Sequence, residues 1–316
     1  MMPLKPNLQV RELIMKIDLT TLVTESRNKV SENIDMLSTV EMLKVINQED
    51  KKVALAVEAI IPEIAKVVDL IANAFQSGGR LIYTGAGTSG RLGILDASEC
   101  PPTYGSNPDL VIGLIAGGHT AILKAVENAE DNVELGASDL ERIGFNEKDV
   151  LVGIAASGRT PYVLGAMNYA KSIGATVATL SCNANSPMTQ IADISLTPVV
   201  GPEVVTGSSR MKAGTAQKLV LNTLTTGAMI QTGKVFGNLM VDVEATNAKL
   251  IQRQHNIVVE ATGCSESEAA EALAQCNNHC KTAILMILLN IDAELAAAKL
   301  GKHNGFIRHA LLDQEQ

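Results

Sequence analysis

The 316-residue chain has no tryptophan, and aromatic residues make up only 3% of it. Its core must therefore be aliphatic, built from Ala, Val, Ile, Leu and Met. Basic residues are in deficit: 26 Lys and Arg stand against 34 Asp and Glu, for a net charge of −8. No Lys/Arg cluster makes a basic face, which excludes nucleic acid as a partner. An anionic ligand must be held by local geometry, because the overall field repels it. No run of about eighteen apolar residues occurs, so no membrane span is expected. Met1 to Lys16 lacks the long apolar run of a secretory signal, and Met15 is a candidate alternative start. The five cysteines, Cys100, Cys182, Cys264, Cys276 and Cys280, are scattered and odd in number. Reduced thiols and a cytoplasmic location are expected. Cys276, His279 and Cys280 fall on one helical surface, but no fourth ligand lies nearby, so packing is favoured over a metal site. No metal and no cofactor is expected.

What is present is 46% hydrophobic and 19% charged, which argues for a well-buried globular protein and against disorder. Residues 18–50 are polar and periodic and suggest one or two helices. A helix follows from Pro62, with Ile64, Val67, Val68, Ile71 and Phe75 on one stripe and Gly78-Gly79 at its end. Strand-length apolar runs then alternate with helical stretches. The strand candidates are 81–84, 110–115, 150–155, 176–181 and 194–199, mostly apolar at consecutive positions as in strands covered on both faces. The fold class is α/β: a doubly wound five-stranded parallel sheet with N-terminal helices and a C-terminal helical module. The expected division is 1–60, an N-terminal helical segment; 61–232, the sheet domain; and 233–316, the helical module. After residue 232 no strand signal remains. Helices are expected over 247–261, from Ser265 with Glu268 completing a capping box, and over 281–290 and 292–300.

In such sheets the ligand site lies beyond the carboxyl ends of the strands. The first strand runs into Gly85-Ala86-Gly87-Thr88-Ser89-Gly90-Arg91. Its glycines let backbone N–H groups turn toward an anion, and the following helix adds unsatisfied donors. The same spacing fits a dinucleotide fingerprint, but hydroxyls occupy its interior and no acidic residue ends the next strand. The third strand runs into Ala156-Ser157-Gly158-Arg159-Thr160-Pro161, with Pro placed to start a helix. Two such turns at adjacent strand ends can converge on one phosphate, with Ser89, Ser157 and Thr160 as donors.

These loops, Gly87-Thr88-Ser89 and Ser157-Gly158-Arg159-Thr160, resemble those of the sugar isomerase (SIS) domain. Sugar isomerases usually carry Glu where Arg159 stands. The segment from Gly201 to Lys212, containing Glu203, is a third SIS-like element. The match narrows at Gly85 to Gly93, continued by Asp96-Ala97-Ser98-Glu99-Cys100-Pro101-Pro102-Thr103-Tyr104-Gly105, and again at Gly153 to Tyr162 and Asn238 to Val243. From about Ile34 onward the chain resembles the N-acetylmuramic acid 6-phosphate etherase family. The resemblance implies a metal-free homodimer acting on a small sugar phosphate. It would cleave the lactyl ether of N-acetylmuramate 6-phosphate to N-acetylglucosamine 6-phosphate and D-lactate in recycling of cell-wall sugar. One departure is Asn128, where the family commonly has Gly; Asn tolerates left-handed backbone, so the loop should survive.

The chemistry is elimination followed by hydration. In the open-chain sugar, C1 is an aldehyde and acidifies the proton on C2. A carboxylate removes that proton, the lactyl oxygen leaves C3, and water adds back. One acid and one base are needed. The family's two carboxylates correspond to Glu99 and Glu130, both expected at the site-bearing edge of the sheet. Glu99, before a Cys100-Pro101-Pro102 stop, is assigned as the acid and would suit that role if partly buried. Glu130 is assigned as the base, with the reverse assignment open. The substrate-binding set is Gly87, Thr88, Ser89, Ser157, Gly158, Arg159, Thr160 and Glu203, the last as a sugar-positioning group or a helix cap. His119 and Arg159 are candidates for contact with the lactate carboxylate or the ring, with His119 more simply a surface residue; Tyr104 and Tyr162 are expected to pack. A sugar-phosphate isomerase and a sugar-phosphate-sensing regulator remain alternative readings; the pair Glu99 and Glu130 favours the enzyme.

Overall fold

A computed structural model describes residues 23–243 and 248–313. The readings of Met1 to Lys16 and of Met15 lie outside these residues. Three 3-10 turns between 23 and 36 lead into α1 (Thr39–Asp50), α2 (Lys52–Glu58) and α3 (Ile61–Gln76). Over the described part of 18–50, residues 23–50, the helical expectation holds from Thr39 on. α1 starts there because Ser38 and Glu41 form a capping box, each satisfying the other's free backbone donor.

All five expected strands form: β1 (Leu81–Gly85), β2 (Val111–Ile115), β3 (Val150–Ile154), β4 (Thr176–Leu180) and β5 (Ile194–Leu196). They make one sheet in the order β2-β1-β3-β4-β5, and every pairing is parallel. β5 stops three residues short of the expected end. Pro198 lies there, and proline cannot donate to a ladder.

Between strands run α4 (Gly87–Tyr104), α5 (Thr120–Leu123), α6 (Val133–Arg142), α7 (Pro161–Ser172) and α8 (Pro187–Ile191), and α9 (Lys212–Gln231) follows the sheet. Successive strand side chains point to opposite faces. Leu81, Tyr83, Val150, Val152, Ile154, Ala178 and Leu180 face α3, α4 and α9 in one core. Ile82, Leu151 and Val177 face α6 and α7 in another. The continuous apolar runs in the sequence are therefore two alternating sets.

α4 crosses Pro101 and Pro102 rather than stopping at them, and ends at Gly105, whose φ is 55°. A helix tolerates proline in its last turns at the expense of two intrahelical bonds. The helix is clamped by Asp96, 4% exposed, which accepts from the Tyr83 hydroxyl at 2.9 Å, Asn222 at 2.6 Å and Thr225 at 3.1 Å. Burial pushes the Asp96 carboxyl upward, and these donors only partly offset it.

Beyond α9 a separate core gathers α10 (Ala248–Thr262), α11 (Glu266–Gln275), α12 (Cys280–Leu289), α13 (Ala293–Lys302) and α14 (Ile307–Leu312). The expected capping box of Ser265 and Glu268 is present. A short hairpin, β6 (Val235–Phe236) with β7 (Leu239–Met240), corrects the expectation of no strand here. Two-residue strands carry no periodicity for a sequence to reveal. Cys276, His279 and Cys280 do not share a helical surface. They straddle the turn between α11 and α12, where Asn277 and Asn278 take φ values of 53° and 58°. All five cysteines are free. No helix among the described residues is long and apolar enough to cross a membrane.

The N-terminal segment is bound to the sheet's carboxyl edge. Asn183 accepts from the Val23 amide and donates to Thr24 and to the Ala156 carbonyl. Ser31 donates to the Val204 carbonyl. Beneath them Glu49 meets Lys212 at 2.6 Å, both side chains almost fully buried. Burial alone would raise the Glu49 carboxyl, but donors from Lys212, Lys52 and Asn28 outweigh it and lower the pKa to about 2. The folded value lies below the unfolded 4.5, so this stabilisation is complete above that pH and is lost as pH falls toward about 2. Lys212→Met should cost about 3 kcal/mol in urea denaturation, because it strips the main partner from a buried carboxylate. The variant should also lose less stability between pH 4.5 and about 2 than the parent does.

Candidate active site

β1 and β3 are neighbours, Gly85 pairing with Ile154, yet the helices that follow them pack on opposite faces of the sheet. A crevice opens where they part, and the two glycine- and hydroxyl-rich loops border it. The loops expected to share a ligand therefore do lie side by side.

In the first loop, α4 begins at Gly87, whose φ of 53° favours glycine. The N-cap Ala86 has no side chain to cap with, and the first intrahelical bond runs from the Gly90 amide to the Ala86 carbonyl. The amides of Gly87, Thr88 and Ser89 are thus the unsatisfied first-turn donors of an 18-residue helix. Thr88 is half-buried, with its methyl toward Gly214 of α9. Ser89 departs from expectation. It is only 8% exposed, and its hydroxyl donates to Gln217 Oε1 at 3.0 Å. Its backbone amide, rather than its hydroxyl, is what it offers an anion. Gln217 Nε2 is buried without a hydrogen-bond partner among the described residues.

In the second loop the Arg159 amide donates to Ser157 Oγ at 3.3 Å, which leaves the Ser157 hydroxyl proton free to donate outward. Gly158 has φ 69°, and a Cβ there would come 2.3 Å from both Cβ and Oγ of Ser186. Arg159 is half-buried, and its Nε lacks a partner among the described residues. Thr160 is the N-cap of α7 but makes no side-chain capping bond, so its hydroxyl is also available; Pro161 opens the helix as expected. The Tyr162 amide donates to the Glu130 carbonyl at 3.0 Å, which anchors the loop bearing Glu130 beside Ser157 and Thr160.

A pocket of about 280 Å³ lies beyond the ends of β1 and β2, lined by Gly87, Arg91, Ala116, Glu127, Asn128 and Glu130 among others, and Ser157 to Thr160 are not part of its lining. Asn128 adopts φ 60°, the left-handed geometry expected of it in place of glycine. Glu203 takes the second of its two expected roles, Glu99 is placed otherwise than expected, and His119 is the surface residue favoured for it. Glu203 is 1% exposed, and its two carboxylate oxygens accept from the Lys212 and Ala213 amides at 2.9 Å each. It caps α9 and has no oxygen left facing a sugar. Glu99 is exposed, not partly buried, and lies outside the pocket. It also sits away from the site-bearing edge. α4 runs back against the strands, and twelve residues of helix carry Glu99 about 18 Å from Gly87. His119 is exposed and does not line the pocket. Tyr104 and Tyr162 are buried as expected.

Sequence reasoning passed over Arg91, Gln217 and Asn183. Arg91 lay inside the quoted glycine motif, where only its neighbours were weighed. Gln217 and Asn183 carry no local signal, since Ser89, the partner of the first, and Val23 and Thr24, partners of the second, are more than a hundred residues away.

Comparison with known proteins follows this geometry. Residues 63–171 match the model of the glucokinase regulatory protein N-terminal SIS domain, and 122–227 match the SIS domain. A protein of Aliivibrio fischeri (strain ATCC 700601 / ES114) named N-acetylmuramic acid 6-phosphate etherase is 86% identical over 95% of this chain and 100% of its own. One of the same name from Photobacterium profundum is 75% identical over 94% of this chain and 99% of its own. Among solved structures, a phosphoheptose isomerase from Francisella tularensis superposes with TM-score 0.50 at 19% identity, covering 61% of this chain and 98% of that one, which supports the fold.

Gly158→Ala should destabilise the protein by about 1–3 kcal/mol in chemical denaturation, through both its positive φ and the Ser186 clash. An Ala at Gly174, which has φ 81° but open space around it, should cost less.

Proposed function

The chain belongs to the N-acetylmuramic acid 6-phosphate etherase family, and from that premise we propose how its residues open the lactyl ether of N-acetylmuramate 6-phosphate. The protein is a carbon–oxygen lyase of cell-wall sugar recycling, and its products are N-acetylglucosamine 6-phosphate and D-lactate. The observation that carries the reading is Glu130 in one pocket with the first turn of α4, while the Tyr162 amide ties its backbone to the second loop.

The phosphate takes the Gly87, Thr88 and Ser89 amides, with the hydroxyls of Ser157 and Thr160 closing on it from the second loop. Gly158 allows that loop its turn, and Arg159 flanks it. With the phosphate fixed, the open-chain sugar lies across the pocket toward Glu130. Glu130 removes the C2 proton, and the charge spreads onto the C1 aldehyde oxygen. The C3–O bond then breaks, and Glu99 protonates the departing lactate oxygen. Water adds at C3 of the unsaturated aldehyde, and the C2 proton returns. Glu203 supports the third loop as a helix cap.

Glu99 cannot reach the sugar held by its own chain. Its distance along α4 exceeds the reach of a hexose phosphate from phosphorus to C2. A homodimer resolves this, with Glu99 of each chain serving the partner's site. Leu95, one turn before Glu99, is exposed, as are Met36, Val40, Leu43 and Leu55 on the N-terminal elements. Such apolar groups suit a buried contact between copies. Residues 61–232 form the sugar-phosphate domain on this reading, 1–60 and 233–316 being helical additions. Five reduced thiols suit the cytoplasm.

Incubation with N-acetylmuramate 6-phosphate in ¹⁸O water should release D-lactate and place the label on C3 of the sugar. Lactate release with the label absent from the sugar would overturn elimination–hydration. Glu99→Ala and Glu130→Ala should each lose lactate release. When the two inactive variants are co-refolded, random pairing should restore about a quarter of wild-type activity, since each mixed dimer holds one intact site. A mixture as inactive as its components would show that both glutamates act within one chain.

A further inference from the structure

The substrate carries two anions, the phosphate and the lactyl carboxylate, whereas the product sugar keeps only the phosphate. The first-turn amides and hydroxyls account for the phosphate. A second anion still has to enter a pocket already lined by Glu127 and Glu130, in a chain of net charge −8. Arg91 is the one cation lining that pocket among the described residues.

Arg91 lies one helical turn after Gly87 on α4 and is half-buried. Its Nε donates to the Ile122 carbonyl at 2.8 Å. That bond ties α4 to α5 and fixes the plane of the guanidinium. Its two terminal nitrogens make no hydrogen bond among the described residues. A planar fork held by one edge, with its other donors turned to a pocket, matches a carboxylate in two-point contact. A helix N-terminus offers no such preference, so the two anion sites differ in chemistry.

We propose that Arg91 binds the lactyl carboxylate of the substrate and so selects the ether over sugar phosphates that lack it. The proposal rests on the etherase reading above. With its carboxylate paired to Arg91 and its phosphate on α4, the substrate is held at both ends of the scissile region. The C2–H bond is then presented to Glu130. As the C3–O bond breaks, negative charge grows on an oxygen close to that carboxylate. The guanidinium offsets this charge until the acid delivers its proton. Once lactate is free, the product sugar has no group left for Arg91.

The test compares Arg91→Gln and Arg91→Lys with wild type on two ligands. For lactate release from N-acetylmuramate 6-phosphate, kcat/KM should fall about hundredfold in Arg91→Gln. Arg91→Lys keeps the charge but loses the fork, and should fall about tenfold. The dissociation constant for N-acetylglucosamine 6-phosphate should stay within about threefold of wild type in both, which also shows that the variants fold. Equal weakening toward the two sugars, or an unchanged kcat/KM in Arg91→Gln, would overturn the assignment. Should Arg91→Gln fail to fold, the split between the two ligands in Arg91→Lys decides alone. Absence of lactate release by the wild-type protein would instead sink the etherase reading.

Discussion

Two parallel strands that part company set the terms for everything else in this molecule. β1 and β3 pair along their full length, and then their helices leave for opposite faces. The amides at the start of α4 are left without partners inside the helix, and water or an anion must satisfy them. An acidic protein can hold a phosphate there without a basic surface. The attraction comes from oriented dipoles a few ångströms away rather than from net charge.

Holding open the crevice between the two strand ends requires support from behind. α4 is clamped by Asp96 to β1 and α9, so its first turn cannot drift from the sheet. α9 in turn is capped by Glu203, and its first residue, Lys212, is locked to Glu49 on α1. Gln217 then reaches from α9 to Ser89 in the phosphate loop. The N-terminal segment is joined to the second loop through Asn183 and the Ala156 carbonyl. These buried polar groups form a chain from the N-terminal helices to both glycine-rich turns. Each group is costly to bury alone, so each depends on its partner being in place.

The same frame divides the two glutamates. Glu130 enters the pocket from a loop anchored on the α7 N-terminus. Glu99 rides down α4 to an exposed surface beside Leu95. A helix that crosses back over a sheet carries its end toward the opposite edge from its start, so Glu99 lies outside the pocket that Glu130 lines. On the proposed reading, a two-fold partner would turn this separation into a complete site.

Local signals in the sequence determined the sheet class, its five strands and the places where helices begin. Consecutive apolar residues, glycine at strand ends, Pro161 at a helix start and the Ser265–Glu268 box all act over a few residues, so they survive without a fold around them. The loops Gly87 to Ser89 and Ser157 to Thr160 were legible for the same reason, as was the left-handed turn at Asn128. Other features were decided only when distant segments met. The Ser89 hydroxyl turned to Gln217, and Arg91 was fixed by the Ile122 carbonyl. Hydrogen-bond direction depends on which partner arrives, and those partners are set by packing across the whole chain. The separation of Glu99 from Glu130 belongs to the same class, since a spacing along the sequence says nothing of which edge of the sheet a helix end reaches.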